Sequence, residues 1–280
     1  MIEKITDKKE LSRLIMASMK RGVATNCFTA SSFTFDIDEG RLYYEKRSDS
    51  LFLLRKRDGV CILNFYVNGN IALPSFTDVC GELSVVTEIP VYDSGNVNEA
   101  EARLRDIVTD GGFECILERT MLERAVCDKS AQMCDDARIT TSCPDVRKMY
   151  DVLKGFLSPV TGCVPTFSEF SSDTENGCVF ALYEEGDVKG VLRCGIGKKE
   201  LAIKQLAVDG KYRRQGIGEK LVSTALHAHS GKKATVWTDS GNTAALSLYE
   251  KCGFVRLSRR SYVYIKTTKT TETEGKTIWI

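Results

Sequence analysis

The stretch Leu206–Val222 reads LAVDGKYRRQGIGEKLV and places an apolar strand, a polar turn and two glycines in front of an amphipathic helix. The strand is predicted to end at Val208 and the helix to span Gly216–Ala228. Backbone N–H groups at a helix start lack intrahelical partners and carry partial positive charge. Because glycine lets an anion approach those groups, Gly216 and Gly218 favour a pyrophosphate site. Basic side chains surround the turn: Lys211, Arg213, Arg214 and Lys220.

Three phosphate-binding patterns can be compared with this stretch. A P-loop requires Lys-Ser/Thr after its second glycine, whereas Glu219 follows Gly218 here. A dinucleotide fingerprint requires three spaced glycines and an acidic residue after the next strand, and only two glycines are suitably placed. The pattern that fits is Arg-x-x-Gly-x-Gly, from Arg213 to Gly218, directly after a strand and its turn.

Arg213–Gly218 resembles the acyl-CoA pyrophosphate loop of the GCN-five-related N-acetyltransferase (GNAT) superfamily. A second block supports the resemblance, namely Asn242-x-x-Ala245-x-x-x-Tyr249 followed by Cys252-Gly253-Phe254. The two blocks occur in the family's order, separated by a helix and a strand. The resemblance covers residues 145–280.

This resemblance implies an acyltransferase that moves an acetyl group from acetyl-CoA directly to a primary amine, without a metal. It implies that Tyr249 protonates the departing thiolate, and that a strand N–H stabilises the developing oxyanion. The residues implied to bind acetyl-CoA are Leu206, Ala207, Val208, Arg213, Arg214, Gln215, Gly216, Ile217, Gly218 and Asn242. A sensor or scaffold that holds acetyl-CoA without turnover is the alternative.

Several of these residues also have a structural interpretation. Tyr249 lies on the apolar stripe of its helix and is a candidate core residue. Asn242 is a candidate helix N-cap, which is compatible with a role near the cofactor. Gly253 fits the position after a helix end. Arg213 and Arg214 could form a solvated surface pair.

The general base is not evident from the sequence. The strand before the loop contains Lys204 and Gln205 but no carboxylate. Glu200 is a candidate just before this strand, and a water relay or a group from the N-terminal half are alternatives. His227 and His229 lie on the loop helix, where His227 is predicted to face solvent and His229 to continue the apolar side.

The 280 residues suggest two α+β domains, each a mixed central sheet flanked by helices. We expect a degenerate GNAT-like or accessory domain over 1–130, a linker over 131–144 and a catalytic domain over 145–280. The helices are predicted at Lys8–Lys20, Asn98–Val108, Asp145–Leu157, Gly216–Ala228 and Thr243–Lys251. The strands are predicted at Arg41–Glu45, Ser50–Lys56, Cys61–Val67, Val85–Val91, Cys178–Tyr183, Val188–Cys194, Leu201–Val208, Ala234–Thr238, Val255–Lys266 and Thr277–Ile280.

A short sequence repeat occurs in both halves of the chain. The tetrapeptide Asp-Ser-Gly-Asn follows a strand and precedes a helix twice, at residues 93–96 and 239–242. In both halves a Gly-Phe pair and a further strand come next, which indicates duplication. The alternative is that this tetrapeptide simply makes good turns and helix caps.

The N-terminal half departs from the family between Cys61–Val67 and Val85–Val91. The intervening NGNIALPSFTDVCGELS contains a proline and no Arg-x-x-Gly-x-Gly. Because it looks too short for a loop-plus-helix unit, we expect this half to have lost CoA binding and to line the acceptor cleft between the halves. A plain accessory domain is the alternative.

The composition argues against several classes of partner and location, namely nucleic acids, membranes and a zinc ion. A net charge of +1 gives little drive for nucleic-acid binding, although Arg213-Arg214 and Arg259-Arg260 are local basic pairs. No apolar run is long enough for a membrane helix, and the first residues do not resemble a signal peptide. Eleven cysteines without a C-x-x-C pair predict free thiols and a cytoplasmic location rather than a zinc site. The amine, the acyl length and the oligomeric state are left open.

Overall fold

A computed structural model describes residues 2–19, 23–25, 30–69, 71–92, 99–126, 138–142 and 145–267. Within these ranges the chain forms two compact units. The first unit contains the residues up to Glu118 together with residues 259–267, and the second contains Arg119–Ser258. Most of the predicted linker, the first Asp-Ser-Gly-Asn tetrapeptide and the predicted strand Thr277–Ile280 lie outside the described residues.

The described residues form thirteen strands, eight α-helices and two short 3-10 helices. The strands are β1 (Glu3–Lys4), β2 (Val23–Ala24), β3 (Leu42–Arg47), β4 (Ser50–Arg57), β5 (Val60–Val67), β6 (Ser84–Tyr92), β7 (Glu114–Arg124), β8 (Ile139–Thr140), β9 (Val179–Glu184), β10 (Asp187–Ile196), β11 (Glu200–Val208), β12 (Lys233–Asp239) and β13 (Val255–Lys266). The helices are α1 (Lys8–Met19), α2 (Thr34–Asp38), α3 (Thr77–Cys80), α4 (Glu99–Asp110), α5 (Val146–Phe156), α6 (Phe167–Glu175), α7 (Ile217–Ala228) and α8 (Thr243–Lys251), with short 3-10 helices at Ala30–Phe33 and Gly210–Tyr212.

The first unit has a mixed sheet in the order β1-β3-β4-β5-β6-β13, with β2 also paired to β5. Its β5–β6 pair is parallel and its other pairs are antiparallel. Phe52, Phe65, Leu104 and Val108 belong to a buried cluster that packs α4 against the sheet. A second cluster includes Leu11 and Ile15 of α1.

The second unit has the order β7-β12-β11-β10-β9-β8, in which only β11–β12 is parallel. Leu221 of α7 and Leu246 of α8 belong to one buried cluster. Met149 and Leu153 of α5 and Phe170 of α6 belong to another. The sheet therefore carries a helix pair on each face, which confirms the predicted mixed α+β architecture.

The last strand of each sheet comes from the other half of the sequence. In the first unit β13 pairs with β6, from Arg259↔Tyr92 to Lys266↔Val85. In the second, residues 119–124 of β7 pair with β12. The first unit therefore includes a strand that the sequence-based boundaries assign to residues 145–280.

Six short strands and α-helices of the described residues were not predicted from the sequence, namely β1, β2, β8, α2, α3 and α6. Helix α6 begins with a capping box, in which Thr166 accepts from the Glu169 amide while Glu169 accepts from the Thr166 amide. Strand β8 lies inside the predicted linker, and α3 is a four-residue helix between β5 and β6. No helix in the described part of the chain is long and apolar enough to cross a membrane.

Candidate active site

A β-bulge interrupts β11 just before the loop. On neighbouring β10, Arg193 pairs with Gln205 and the next residue, Cys194, pairs with Ile203, which leaves Lys204 as the extra residue. A bulge bends its strand and increases the local twist. It also changes which face the following side chains take.

The two parallel strands separate where the bulge occurs. The register of β11 with β12 ends at Ile203↔Val236, although the strands continue to Val208 and Asp239. Within residues 145–267, the end of β11 is therefore paired on its β10 side but not with β12. The backbone at Leu206–Val208 faces an opening between the strands.

The polar turn leads to a helix start that has no side-chain cap. Arg214 and Gly216 both have left-handed φ angles, 61° and 74°. Gly216 is the N-cap of α7 and makes no side-chain capping hydrogen bond, whereas Asp145, Thr166 and Asn242 cap α5, α6 and α8. A Cβ added at Gly216 would meet nothing within 4 Å. No side chain therefore caps the first amides of α7, and the side of Gly216 that a side chain would occupy faces open space, which suits an anion site.

Gly218 has a packing role in addition to the anion-binding role predicted for it. It is buried, and a Cβ there would lie 2.7 Å from Leu248 Cδ1, 3.6 Å from Leu206 Cδ2 and 3.9 Å from Val208 Cγ2. Both glycines are predicted to let an anion approach, and Gly218 also lies where β11, α7 and α8 meet. Its missing side chain allows this packing.

Gly218→Ala should lower the free energy of unfolding by about 1 kcal/mol, because the new methyl group displaces the end of Leu248. Urea denaturation checks this value. The shorter Leu248→Val side chain should recover most of the loss when combined with Gly218→Ala. Equal losses in the presence and absence of Leu248→Val would contradict the packing role.

Lys211, Arg213 and Arg214 are exposed, as are Gln215 and Gly216, whereas Lys220 is half-buried. The Arg213 guanidinium lies 5.3 Å from the centre of the Phe156 ring, which holds it at the loop by a cation–π contact. Arg213 is thus anchored to α5 rather than a freely solvated side chain. Arg214 adds positive charge next to the α7 start.

Tyr249 on α8 is 5% exposed and packs edge-on against Phe254, with ring centres 5.6 Å apart. Burial raises the pKa of its phenol, and the nearby thiols of Cys194 and Cys252 add to the shift. Tyr249 is therefore a core residue, as the structural interpretation stated, and it stays protonated at neutral pH. A protonated phenol can serve as an acid, so the two roles are compatible.

Asn242 caps α8, because its Oδ1 accepts a hydrogen bond of 2.9 Å from the Ala245 amide. Asp239 accepts a hydrogen bond of 2.7 Å from the Gly241 amide. The second Asp-Ser-Gly-Asn tetrapeptide, residues 239–242, therefore forms a turn and also caps α8. Ala207 is buried on the α5–α6 face, whereas Leu206 and Val208 pack toward α7 and α8. The structure therefore brings together the end of β11, the loop of residues 213–218, and the helices α7 and α8.

The sequence-based candidates for a base lie elsewhere. Glu200 accepts a hydrogen bond of 2.7 Å from Thr235 Oγ1 and starts β11, about 26 Å from Val208 at about 3.3 Å per residue. His227 is exposed in the last turn of α7, and burial lowers the pKa of His229 at its C-cap. Among the described residues, no three His, Cys, Asp or Glu side chains are grouped to hold a metal.

A buried polar network beside the opening was not found from the sequence. Arg193 is 8% exposed and Gln205 is 7% exposed, and Arg193 Nη1 donates to Gln205 Oε1 at 2.9 Å. The sequence offers one indication of this network, which is that Arg193 and Gln205 lie inside strands otherwise rich in apolar residues. Periodicity does not say that these side chains meet.

Part of the chain is similar to known acetyltransferases. Residues 146–254 match the model of the Acetyltransferase (GNAT) family. N-alpha-acetyltransferase 30 of Homo sapiens is 32% identical over 129 residues, which is 44% of this chain and 34% of that protein. The chain thus spans about a third of this relative's length. Mycothiol acetyltransferase of Corynebacterium glutamicum is 38% identical over 52 residues, 18% of each chain.

A structural match extends over both units. The chain is similar in fold to a tandem GNAT protein from the clavulanic acid biosynthesis pathway, with a TM-score of 0.58 and 10% identity. The match covers 97% of this chain and 99% of that one. We conclude that residues 146–254 form a domain of the Acetyltransferase (GNAT) family, and that the chain has the fold of a tandem GNAT protein.

Proposed function

We propose that the second unit transfers an acetyl group from acetyl-CoA directly to a primary amine. The observation that carries the proposal is the opening between β11 and β12, which leads to the uncapped start of α7. An opening of this kind suits a ligand with an extended polar arm and a pyrophosphate. Relatives named as acetyltransferases support the reaction class.

The pyrophosphate is assigned to the first turn of α7. The amides of Ile217 and Gly218, together with the open side of Gly216, offer donors to an anion. Arg213, Arg214 and Gln215 lie exposed in the same loop and can complete the site. The helix dipole adds to the attraction.

The backbone of Leu206–Val208 is assigned to the arm of the cofactor and to its reactive end. Bound acetyl-CoA supplies the acetyl group in activated form, as a thioester. An N–H of this strand segment can stabilise the negative charge that develops on the carbonyl oxygen. The Tyr249 hydroxyl is the acid for the departing sulfur, and Asn242 lies at the start of the same helix. We assign deprotonation of the amine to water, since Glu200 lies at the far end of β11.

The acceptor class is inferred from the relatives. The family model covers the segment that contains the loop, and relatives that match 129 residues of the chain are named N-alpha-acetyltransferases, so we propose the α-amine of a peptide as the acceptor. A small-molecule amine is the second candidate, because the chain is also similar to a mycothiol acetyltransferase. We propose a cytoplasmic location, because free thiols are typical of a reducing compartment. Cys61, Cys163 and Cys178 are among the cysteines that are free in the described part of the chain.

The first unit is proposed to bind no acyl-CoA. Its parallel strands also separate, since β5 and β6 pair only from Val60↔Ser84 to Ile62↔Val86. In this unit, however, another strand of the same chain occupies the edge of β5 that β6 leaves unpaired. Strand β2 pairs Ala24 with Tyr66 on the side opposite β4.

The next residue extends this contact. The Thr25 amide donates to the Phe65 carbonyl at 3.1 Å, and the Phe65 amide donates to Thr25 Oγ1 at 3.1 Å. These groups correspond to those that β11 leaves open. In addition, α3 has four residues where the second unit has the twelve-residue α7. Both features support a single acyl-CoA site.

Isothermal titration of the full chain with CoA should therefore give one site per chain. Gly216→Val should remove that site without exposing another. Two sites per chain, or residual binding of undiminished affinity in the variant, would contradict the assignment to the second unit.

Turnover is tested by thiol release from acetyl-CoA in the presence of amine pools. We expect release with a pool of synthetic peptides that carry free α-amines, and none with the same peptides acetylated at the N-terminus. Release only with small amines would favour the second acceptor class. Tight acetyl-CoA binding without release in any pool would favour the sensor alternative.

A further inference from the structure

The loop between α5 and α6, residues 157–166, is compact and internally bonded. Ser158 Oγ accepts from the amides of Val160 and Thr161, both at 3.2 Å. The Gly162 amide donates to the Ser158 carbonyl at 2.7 Å. A Cβ on Gly162 would lie 2.6 Å from that carbonyl oxygen, so only glycine fits the turn. We refer to residues 157–166 as the α5–α6 loop.

Gln205 ties this loop to β11. Its Nε2 donates to the Cys163 carbonyl at 3.1 Å, while its Oε1 accepts from Arg193 at 2.9 Å. Arg193 also donates to Asp173 of α6, at 2.6 Å from Nε and 2.5 Å from Nη2. Because a guanidinium can only donate, the oxygen of the Gln205 amide must face Arg193 and its NH2 group must face the loop.

Arg119 ties the same loop to β7. Its guanidinium donates to the Thr161 carbonyl and lies 4.0 Å from Cys163 Sγ. In the sheet, Arg119 is paired with Asp239 at the end of β12. Gln205 lies on β11, just after the bulge. The two ties therefore lie on opposite sides of the β11–β12 opening, and residues 161–163 span it on the α5–α6 face.

We propose that Gln205 is a positioning residue for the acetyl acceptor. Together with Arg119 it holds the α5–α6 loop across one face of the opening, so that the loop forms a fixed wall against which the amine is oriented. This inference rests on the proposed function. An amide is required at position 205, since a carboxylate would face two backbone carbonyls, those of Cys163 and Gly162.

The test uses Gln205→Glu in the full chain, with Asn176→Asp as the matched control. Asn176 is exposed at the α6 C-cap, where its Nδ2 also donates to a backbone carbonyl, that of Ser172, at 2.7 Å. Both substitutions turn an amide donor into an acceptor of similar shape. Only the first disturbs the α5–α6 loop.

For Gln205→Glu we expect hydrogen exchange at the amides of residues 160–162 to become about tenfold faster or more, as expected when a hydrogen bond is replaced by repulsion. The KM for the free-amine peptide pool should rise about tenfold, while the Kd for acetyl-CoA changes less than twofold. Asn176→Asp should change none of the three. If Gln205→Glu does not fold, Gln205→Met should show the same pattern with a smaller change.

The outcomes separate the proposals. If Gln205→Glu leaves hydrogen exchange in the α5–α6 loop unchanged, the positioning role is overturned. It is also overturned if exchange becomes faster but the KM for the peptide pool does not change. Neither result contradicts acetyl transfer. A parallel rise in the acetyl-CoA Kd also overturns it, because it would indicate general damage to the site. A wild-type chain that does not bind acetyl-CoA overturns the proposed function and this inference with it.

Discussion

Gly216→Val will lower the affinity of the chain for CoA by about 100-fold or more, which corresponds to about 2.7 kcal/mol. The valine side chain would enter the open space beside the first turn of α7, where a Cβ meets nothing within 4 Å. It would occupy the volume assigned to the pyrophosphate and screen the helix amides from it. Isothermal titration with CoA measures the loss.

Gly231→Val is the matched control for this substitution. Gly231 also has a left-handed φ, 87° against 74° for Gly216, and equally open surroundings. It lies just beyond the other end of α7. Each valine costs about 1–2 kcal/mol of backbone strain, so the two variants should lose similar stability. Equal CoA affinity in the two variants would show that the pyrophosphate is bound elsewhere.

Tyr249→Phe will lower kcat by about 100-fold or more, within the range typical of lost acid catalysis, with little change in the Kd for acetyl-CoA. Phenylalanine keeps the ring that packs against Phe254 and removes only the hydroxyl. Since burial raises the pKa of Tyr249, the wild-type phenol is protonated throughout the neutral range and available as an acid. Thiol release at saturating substrates measures the effect.

Tyr264→Phe is the control for loss of a buried hydroxyl. Tyr264 belongs to the core of the first unit, and burial raises its pKa as well. This variant should turn over at the wild-type rate. If Tyr249→Phe also retains full turnover, then Tyr249 is a core residue only and another group must protonate the sulfur.

Local patterns in the sequence were sufficient for most elements. The predicted bounds of α8 and β13 match those of the structure, and α7 begins one residue after its predicted start. These features depend on side-chain periodicity, on Asn242 as a cap and on Gly216 in a left-handed conformation, which residues near in sequence determine. The loop motif, and with it the GNAT resemblance, is equally local.

Strand partners could not be read from the same patterns. An apolar alternation shows that β13 is a strand, but its place beside β6 depends on edges that are distant in sequence. The same holds for β7 beside β12. The pairing of β2 with the edge of β5 could not be predicted either, because a two-residue strand has no periodicity.

What the sequence determined by itself is the helix start with its two glycines, since backbone conformation and charge there depend on adjacent residues. Only the tertiary structure decided that Lys204 forms a bulge, that β11 and β12 separate beyond it, and that Gln205 reaches the α5–α6 loop. It also decided that Gly216 faces open space while Gly218 packs against Leu248. The physical reason is that these features result from contacts between segments far apart in the chain, which no local pattern records.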